Sequence, residues 1–301
     1  MSMGDIDLGP IGVWTGMLDQ LPSARAAELA AEIEELGYGA IWIPEAVGRD
    51  PFVMATLLLA GTSSIPVATG IANIYARDAM TMANAQRTVD EAFEGRFLLG
   101  LGVSHAHLVA GLRKHDYSRP LSYLREYLER MHKAVFFAHG PGELPEMVLA
   151  ALGPKMLQLS ATATAGAHPY FVPPEHTALA RETMGPDAAL YPEQMVILDT
   201  DPDSARELAR KNMAIYLGLP NYANNLLRLG FEQSDIDGGP GGGPSDRLVD
   251  AIVVWGTPEQ IEARVQEHLD AGADHVGVQV LAEDPDTTAE GWRILAPVLL
   301  A

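Results

Sequence analysis

The chain has 301 residues, of which 48% are hydrophobic, with no cysteine and a formal net charge of −20. The lack of cysteine excludes disulfides, thiolate catalysis and thiolate metal sites. The acidic balance argues against nucleic acid and anionic membrane surfaces as partners. No run of eighteen apolar residues occurs, and MSMGDIDLGP at the N-terminus lacks the basic and apolar regions of a signal peptide. We therefore expect a cytoplasmic protein.

Short apolar runs alternate with amphipathic stretches along the whole chain. Eight of these runs are predicted as strands: IGVW, AIWIPE, IPVATGIANIY, RFLLGLG, EMVLAAL, HPYFV, QMVILDT and HVGVQVL. Each run is followed by a stretch with helical features, such as the stripe of Leu29, Ile33 and Leu36 that ends at Gly37. Eight such units with apolar strands predict a closed (β/α)₈ TIM barrel, with an open doubly wound sheet as the alternative.

Extra sequence lies between the seventh helix and the eighth strand, as an insertion over about residues 219–257. It begins with the helix-like NYANNLLRLGF and continues with DIDGGPGGGPSD, a Gly/Pro loop that we expect to lack regular structure. A further helix, TPEQIEARVQEHLDAG, leads into the eighth strand. We predict one domain over residues 1–301.

The strand ends are where chemistry is expected, because a (β/α)₈ barrel forms its active site at the carboxyl ends of its strands. His105 follows the fourth strand and Glu45 follows the second. His105 and His107 are spaced as in some metal hydrolases, but only Glu45 is available as a further ligand, so we predict no metal. GLGVSH does not match a dinucleotide fingerprint either, since His105 occupies the position of the third glycine.

Glycines indicate three further segments where the backbone could contact a ligand or adopt an unusual conformation. In LGPKM, Pro154 occupies the first helical position, so the N–H groups of Lys155, Met156 and Leu157 are expected to face the mouth as a phosphate site; an ordinary Gly-Pro turn is the alternative. Gly100 and Gly102 indicate either a close ligand or tight packing at a strand end. A glycine inside the buried third strand, in ATGIANIYARD, indicates an unusual backbone.

These segments together resemble one family. IWIPEAVGRDPF, ATGIANIYARDAMTMA, GRFLLGLGVSH, HDYSRPLSYLREYL, AALGPKM, AGAHPYFVPPEHT and DRLVDAIVVWGTPEQIEARVQEHLDAGADHVGVQVL are similar, in order, to the bacterial luciferase-like flavin and deazaflavin oxidoreductases, specifically those that use coenzyme F420. The resemblance covers essentially the whole chain. It implies a (β/α)₈ barrel, in agreement with the strand pattern, and family members usually form homodimers.

The resemblance also implies how the cofactor is bound. A non-prolyl cis peptide backs the deazaflavin ring in this family and falls here at Gly70–Ile71, and the phosphate grip falls at the turn after the fifth strand. The implied cofactor-binding residues are Gly70, Ile71, Asn73, Gly102, Val103, Gly153, Pro154, Lys155, Met156, Gly166, Ala167 and His168. Trp14 and Tyr75 are expected at the substrate pocket, and Arg77, Arg113 and Arg119 are candidates for the acidic cofactor tail or for surface ion pairs.

The proton-handling residues depart from the family pattern. Relatives carry an Asp-His or similar pair after the second strand and a Glu after the fourth, whereas this chain has Glu45-Ala46 and His105. We therefore predict His105 and Glu45 as catalytic, since histidine titrates near neutral pH. The expected activity is hydride transfer between F420 and a small organic substrate. The alternatives are an FMN-dependent luciferase-like monooxygenase, a non-catalytic flavin- or deazaflavin-binding protein, and a metal-dependent hydrolase.

Overall fold

A computed structural model describes residues 6–301 of the chain. The N-terminal expectation of no signal peptide rests on residues 1–10, of which 1–5 lie outside this range. The strands are β1 (Ile11–Trp14), β2 (Ile41–Ile43), β3 (Val67–Thr69), β4 (Ala72–Asn73), β5 (Phe97–Gly102), β6 (Met147–Leu149), β7 (Gly166–Ala167), β8 (Ala189–Leu190), β9 (Glu193–Ile197), β10 (Val253–Trp255) and β11 (Val276–Val280).

Helices follow most of these strands. They are α1 (Ser23–Glu35), α2 (Pro51–Ala60), α3 (Ala79–Ala92), α4 (Pro120–His132), α5 (Pro154–Ala163), α6 (Pro174–Met184), α7 (Pro202–Leu217), α8 (Pro220–Arg228), α9 (Gln233–Asp237), α10 (Asp246–Ile252), α11 (Pro258–Asp270) and α12 (Pro285–Leu299). Short 3₁₀ turns lie at Met17–Gln20 and Pro240–Gly242, and a π-helical turn lies at His107–Leu112. Many helices begin with proline, whose fixed φ suits the first turn, which is why their starts were predictable.

The strands form one curled sheet in which every pairing is parallel, in the order β10-β9-β11-β1-β2-β3-β5-β6-β7-β8, with β4 on β5. Only Tyr191 and Pro192 separate β8 from β9. Tyr191 N–H donates to Ala167 O at 2.9 Å, while Pro192 O accepts from Gly277 N–H at 2.9 Å. This segment therefore joins the β7 side of the sheet to the β11 side.

Two predicted strands differ from those observed. The third is interrupted between β3 and β4, and the cis peptide lies at Gly70–Ile71, as the resemblance implies. The prediction of HPYFV as the sixth strand is wrong, because the strand is Gly166–Ala167, two residues earlier. Gly166 allows this close pairing, since a Cβ there would lie 1.9 Å from Ala189 O. The strand then ends before Phe171, whose φ of 61° is left-handed.

The segment predicted as an insertion contains more regular structure than we expected. The Gly/Pro loop holds the end of α9 and a 3₁₀ turn, and Val253–Trp255 forms β10 beside β9. A capping box starts α9, in which Asp235 Oδ2 accepts from the N–H of Glu232 at 3.0 Å. The expectation of an irregular loop is therefore wrong over this part.

The interior of the sheet contains two tryptophan–histidine pairs. Trp42 Nε1–H donates to His275 Nε2 at 2.9 Å, and Trp14 Nε1–H donates to His168 Nε2 at 3.2 Å. Burial lowers the pKa of both histidines to about 4, so both rings are neutral near pH 7. These hydrogen bonds satisfy indole groups that would be costly to bury without a partner.

A carboxyl group shares this interior. Glu193 is paired in register with Gly277, and a Cβ at Gly277 would point at Trp14 and Trp42, so the Glu193 side chain faces the same interior. Its Oε2 accepts from Phe171 N–H at 3.1 Å, while its Oε1 has no hydrogen-bond partner among residues 6–301. Burial raises the pKa of Glu193 to about 8.

Fine packing explains the glycines of β5. A Cβ at Gly100 would lie 1.9 Å from Thr69 O, and one at Gly102 would lie 2.4 Å from Ile71 Cδ1. Thr69 Oγ1–H donates to Gly100 O at 2.8 Å, and Gly100 N–H donates to Thr69 Oγ1 at 2.9 Å. Of the two roles that the sequence left open, the structure shows tight packing of β5 against the third strand.

We predict that Glu193→Gln stabilises the fold increasingly as pH rises. The folded pKa of about 8 lies above the usual 4.5, so ionisation favours the unfolded wild-type chain between these pH values. The advantage of the variant in unfolding free energy should grow from about pH 4.5 and level off above about pH 8, reaching on the order of a few kcal/mol. Urea unfolding at several pH values measures this, with exposed Glu182→Gln as control. An advantage that does not change with pH would contradict the prediction.

We also predict that Gly100→Ala destabilises the protein by about 3 kcal/mol, because the new methyl group would overlap the Thr69 carbonyl. Gly142→Ala is the matched control, since a Cβ there would meet no atom within 4 Å. Urea unfolding of both variants gives the comparison. Equal stability of the two variants would contradict the prediction, because it would show that the β3–β5 contact has room for a methyl group at residue 100.

Candidate active site

A cleft of about 360 Å³ opens at the carboxyl ends of β1, β2 and β11. Its lining includes Trp14, Thr15, Pro44, Tyr216, Gln279 and Leu281. This volume falls within the range of roughly 300–1,000 Å³ typical of ligand sites. A larger cavity, of about 590 Å³, lies at the opposite end of the sheet, near Glu146, Ala165 and Asp274, which precede β6, β7 and β11. The smaller cleft is the candidate site because it lies at the catalytic ends of the strands.

Aromatic side chains connect this cleft to the rest of the mouth. The ring centroids of Trp14 and Tyr170 are 4.8 Å apart, and Tyr170 Oη–H donates to Gln279 Oε1 at 2.9 Å. Tyr216 Oη lies 2.7 Å from Tyr170 Oη, and the ring of Tyr222 packs on both tyrosines. Burial raises the pKa of Tyr170 well above its usual 10. The mouth is therefore an aromatic surface with its hydroxyl groups neutral.

His105 lies just beyond β5, on the far side of this aromatic surface. Its Nδ1 lies 3.2 Å from Asn221 Oδ1, and its ring centroid lies 5.5 Å from that of Tyr222. Burial lowers its pKa below the usual 6.5, which the hydrogen bond with Asn221 partly offsets. The preceding Ser104 has a left-handed φ of 56°, and its carbonyl accepts from Tyr117 Oη–H at 2.7 Å. His105 is thus a neutral ring held at the mouth by Asn221 of α8.

Glu45 has different surroundings. Arg77 binds it in a bidentate pair, with nitrogen–oxygen distances of 2.9 and 2.8 Å, and Asn73 N–H donates to its Oε2 at 2.7 Å. Arg113 stands 4.0 Å from the same carboxylate. Each oxygen of Glu45 thus already has a charged partner, an arrangement that fixes the backbone of β4 at the mouth.

Other predicted residues are built into the walls of the site. The Asn73 side chain accepts from Tyr75 N–H at 2.9 Å, and Tyr75 stacks on Tyr123 with centroids 4.7 Å apart. Val103 packs against the hydrophobic core. Tyr75 therefore lies in an aromatic cluster with Tyr117 and Tyr123, separate from the cleft beside Trp14.

His168 lies behind the Gly70–Ile71 peptide. A Cβ at Gly70 would lie 2.8 Å from His168 Nε2 and 2.5 Å from Trp14 Nε1. The second ring nitrogen of His168 donates to Tyr191 O at 2.6 Å, so both nitrogens have partners within the protein. Ala167 is fully buried in a small apolar cluster with Leu157 and Leu190. The AGAH segment thus supports the site from behind.

The turn before α5 fits the predicted phosphate grip only in part. Gly153 caps the helix and Pro154 starts it, as predicted. However, the N–H groups of Met156 and Leu157 both donate to Gly153 O at 3.0 Å, so the expectation that they are free is wrong. The reason is that the first turn is already tightened around the Gly153 carbonyl. The Lys155 N–H donates to no backbone acceptor in the described part of the chain.

Helix α8 contributes site residues that the sequence did not reveal. Asn221, Asn225 and Arg228 are spaced at i, i+4 and i+7, which places them on one helix face. Asn221 contacts His105, and the Arg228 guanidinium lies against Gly153, with Nη2 3.5 Å from the position of a Cβ on that glycine. The α8 face thus extends from the end of β5 to the start of α5. The spacing was the signal, but the sequence alone did not show what it faces.

Residues 6–301 contain neither a metal-binding cluster nor a membrane-spanning helix. No group of three or more histidine, aspartate or glutamate side chains there could hold a metal ion. No helix in that range is long and apolar enough to cross a bilayer. The three arginines considered for a cofactor tail have different surroundings: Arg77 and Arg113 stand near Glu45, whereas Arg119 is exposed at the start of α4.

Known proteins share both sequence and fold with this chain. It is 26% identical to the 5,10-methylenetetrahydromethanopterin reductase of Methanolobus tindarius, over 88% of this chain and 91% of that one. An F420-dependent secondary alcohol dehydrogenase, solved with an F420–acetone adduct, superposes with a TM-score of 0.76 at 14% identity, covering 96% and 98% of the two chains. The FMN-bound oxygenating component of 3,6-diketocamphane monooxygenase from Pseudomonas putida gives 0.69 at 15% identity, covering 96% of each.

The curled parallel sheet is thus the α/β fold of the luciferase-like barrel enzymes. The sequence profile of luciferase-like monooxygenases matches residues 10–275, which is most of the chain. The chain belongs to the luciferase-like monooxygenase family.

Proposed function

We propose that this protein is an F420-dependent oxidoreductase that transfers hydride between the deazaflavin coenzyme and a small organic substrate. The observation that carries the proposal is the mouth itself, where a neutral, oriented His105 stands on one side of an aromatic surface and a cleft of about 360 Å³ opens on the other. The sequence similarity to a methylenetetrahydromethanopterin reductase over most of both chains supports a hydride-transfer enzyme.

The mouth suits a planar, anionic cofactor. Trp14 and Tyr170 offer aromatic faces, and the α5 turn offers the Lys155 N–H together with the guanidinium of Arg228. The residues proposed to hold the cofactor are Gly70, Ile71, Asn73, Gly102, Val103, Gly153, Pro154, Lys155, Met156, Gly166, Ala167 and His168. Trp14 is proposed to face the substrate, whereas Tyr75, also expected there from the sequence, lies outside the cleft. Bound F420 supplies the hydride chemistry, and the protein supplies orientation and proton handling.

His105 is the proposed proton-handling group. Its burial keeps the imidazole neutral near pH 7, so it accepts a proton when an alcohol is oxidised and returns one when a carbonyl or C=C bond is reduced. The Asn221 contact directs the ring, because Nδ1–H donates to the Asn221 carboxamide and leaves Nε2 as the basic nitrogen. Glu45, which was predicted as catalytic, is better suited to positioning, because Arg77 occupies both of its oxygens.

We propose in addition that the chain is a single domain with an eight-stranded (β/α)₈ barrel and an insertion near residues 219–257. The segment from β8 to β9, bonded on one side to β7 and on the other to β11, supports closure of the sheet. Counting β3 with β4 and β8 with β9 leaves β10 as the additional strand, and it lies in the insertion.

We also propose a cytoplasmic homodimer. Exposed apolar side chains, which are Val53, Leu57, Met80, Val135 and Phe137, lie on α2, α3 and the loop after α4. Asn84 Nδ2–H donates to Val135 O at 3.2 Å, which joins α3 to this loop. Such a patch on an otherwise acidic surface favours a protein partner. The cytoplasmic location rests on the sequence alone.

The choice of cofactor is tested by adding F420 or FMN to the protein in separate titrations and measuring the fluorescence of its four tryptophans. We expect saturable quenching by F420, because Trp14 lines the cleft. Binding of FMN without binding of F420 would instead support the FMN-dependent monooxygenase. That alternative is motivated by the family profile and by the FMN-bound structural neighbour.

We predict that His105→Gln lowers turnover about a hundredfold with little change in cofactor affinity. In wild type, the rate of alcohol oxidation should rise with pH to a plateau, with the midpoint of the rise below pH 6.5, because burial lowers the pKa of His105. The variant should lack that rise. Steady-state F420 reduction with a panel of secondary alcohols measures both effects, and His107→Gln is the control. Unchanged turnover on every substrate that wild type oxidises would contradict the role of His105, whereas binding of F420 by wild type without oxidation of any alcohol in the panel would favour the non-catalytic binding protein.

The homodimer is tested with Phe137→Asp, which places a charge on a side chain that is 99% exposed. We expect the variant to elute as a monomer in size-exclusion chromatography with light scattering, while wild type elutes as a dimer. Ile215→Asp, on α7, is the control for an exposed apolar residue outside the patch. A monomeric wild type, or a dimeric Phe137→Asp variant, would contradict this interface.

A further inference from the structure

The surroundings of Arg228 suggest a ligand that the protein itself does not provide. Its Nη2–H donates to Asn225 Oδ1 at 3.2 Å, and its Cζ lies 3.8 Å from the position of a Cβ on Gly153. Within residues 6–301 no carboxylate comes within ion-pairing distance of Arg228, although the chain has 40 acidic residues against 20 basic ones. Over the same range Nε and Nη1 have no acceptor. An exposed guanidinium is thus held in place with donors to spare.

Asn225 gives a second, independent indication. Its side chain is 2% exposed, yet its Nδ2 donates to no acceptor among the described residues. A buried amide donor normally has a partner, and leaving it without one costs stability. The same carboxamide accepts from Arg228 through Oδ1, so Asn225 orients the guanidinium that lies against Gly153.

The start of α5 provides a further donor. Among the described residues the Lys155 N–H has no backbone acceptor at the first turn of a ten-residue helix, and the Lys155 side chain is exposed. His176 Nε2 contacts Leu152 O at 2.9 Å, which fixes the carbonyl before Gly153. The Lys155 N–H and the Arg228 guanidinium therefore lie at one helix start, where the helix dipole also favours negative charge.

We propose that Arg228, positioned by Asn225, binds a phosphoester oxyanion of the cofactor at the start of α5. The ligand's identity rests on the proposed function, whereas its chemistry rests on the donors just described. Arginine suits this role because its planar fork of N–H groups matches two phosphate oxygens, and because it remains charged. The insertion thereby supplies a binding residue that a barrel without α8 would lack.

The first test measures cofactor affinity by tryptophan quenching. F420 is compared with the same deazaflavin lacking its phosphodiester tail, on wild type, Arg228→Gln, Arg228→Lys and Arg125→Gln. We expect Arg228→Gln to lose about tenfold in affinity for F420 and less than twofold for the truncated deazaflavin. Arg228→Lys should fall between wild type and Arg228→Gln, and exposed Arg125→Gln on α4 should match wild type. Equal losses on both ligands, or no loss on either, would overturn the proposal.

A second arm separates this proposal from the choice of cofactor. If wild type binds FMN rather than F420, the same comparison is made with FMN and riboflavin, which differ only by the phosphate. An Arg228-dependent preference for FMN would then support the phosphoester site while the F420 assignment fails.

A third arm uses inorganic phosphate and needs no cofactor. Phosphate should raise the melting temperature of wild type relative to chloride at equal ionic strength, because a ligand that binds the folded state stabilises it. The increase should be lost in Arg228→Gln and kept in Arg125→Gln. No increase in wild type, or an equal increase in Arg228→Gln, would overturn the proposal, and far-UV circular dichroism checks that the variants are folded.

Discussion

Two hydrogen bonds from tryptophan indoles to histidine rings inside the sheet join distant parts of the chain and restrict which residues can lie beside them. Trp14 on β1 donates to His168 beyond β7, and Trp42 on β2 donates to His275 just before β11. They join parts of the chain that are 154 and 233 residues apart. Because a buried indole N–H needs an acceptor, both histidines must stay neutral and keep one ring nitrogen unprotonated.

These pairs also determine which neighbouring residues are allowed. A Cβ at Gly12 would lie 2.7 Å from the His275 ring, and one at Gly70 would lie 2.8 Å from His168 Nε2. Glycine is therefore required where the backbone passes the rings. The same constraint separates the histidines: those inside the sheet hold the fold together, whereas His105 lies at the mouth and is the residue proposed above for proton transfer.

The mouth is built from both the curled sheet and helix α8. The strands provide Trp14, the Gly70–Ile71 peptide and the end of β5, whereas α8 provides Asn221, Tyr222 and Arg228. One short helix thus supplies part of the rim on a fold that the structural neighbours share. Differences in such inserted segments offer a physical route to different substrates on the same fold.

Sequence reasoning identified what local patterns encode. Proline at the first helical position marked the starts of α2, α5 and α6, and apolar runs marked most strands. It failed at β7, where pairing at Gly166 is set by the Ala189 carbonyl, an atom distant in sequence. It also missed β10, whose three residues pair with β9 but give too short a pattern to separate from α10.

In the candidate site, too, residues placed by local sequence patterns were predicted and contacts between distant residues were not. His105 and Glu45 were found because strand ends can be located from the sequence, and the cis peptide was found through the family resemblance. The pairing of Glu45 with Arg77, 32 residues away, was not predicted, nor was the contact of His105 with Asn221 across 116 residues. Such contacts depend on packing geometry, for which a single sequence carries no local signal.

The placement of Asn221 and Arg228 on one face of α8 has a thermodynamic consequence. Asn221 influences how readily the His105 ring takes up a proton, and Arg228 stands at the proposed anion site. If anion binding shifts α8, it changes the proton affinity of His105, and by linkage protonation of His105 changes the anion affinity by the same factor. One nine-residue helix would then make ligand binding and proton uptake a single coupled equilibrium.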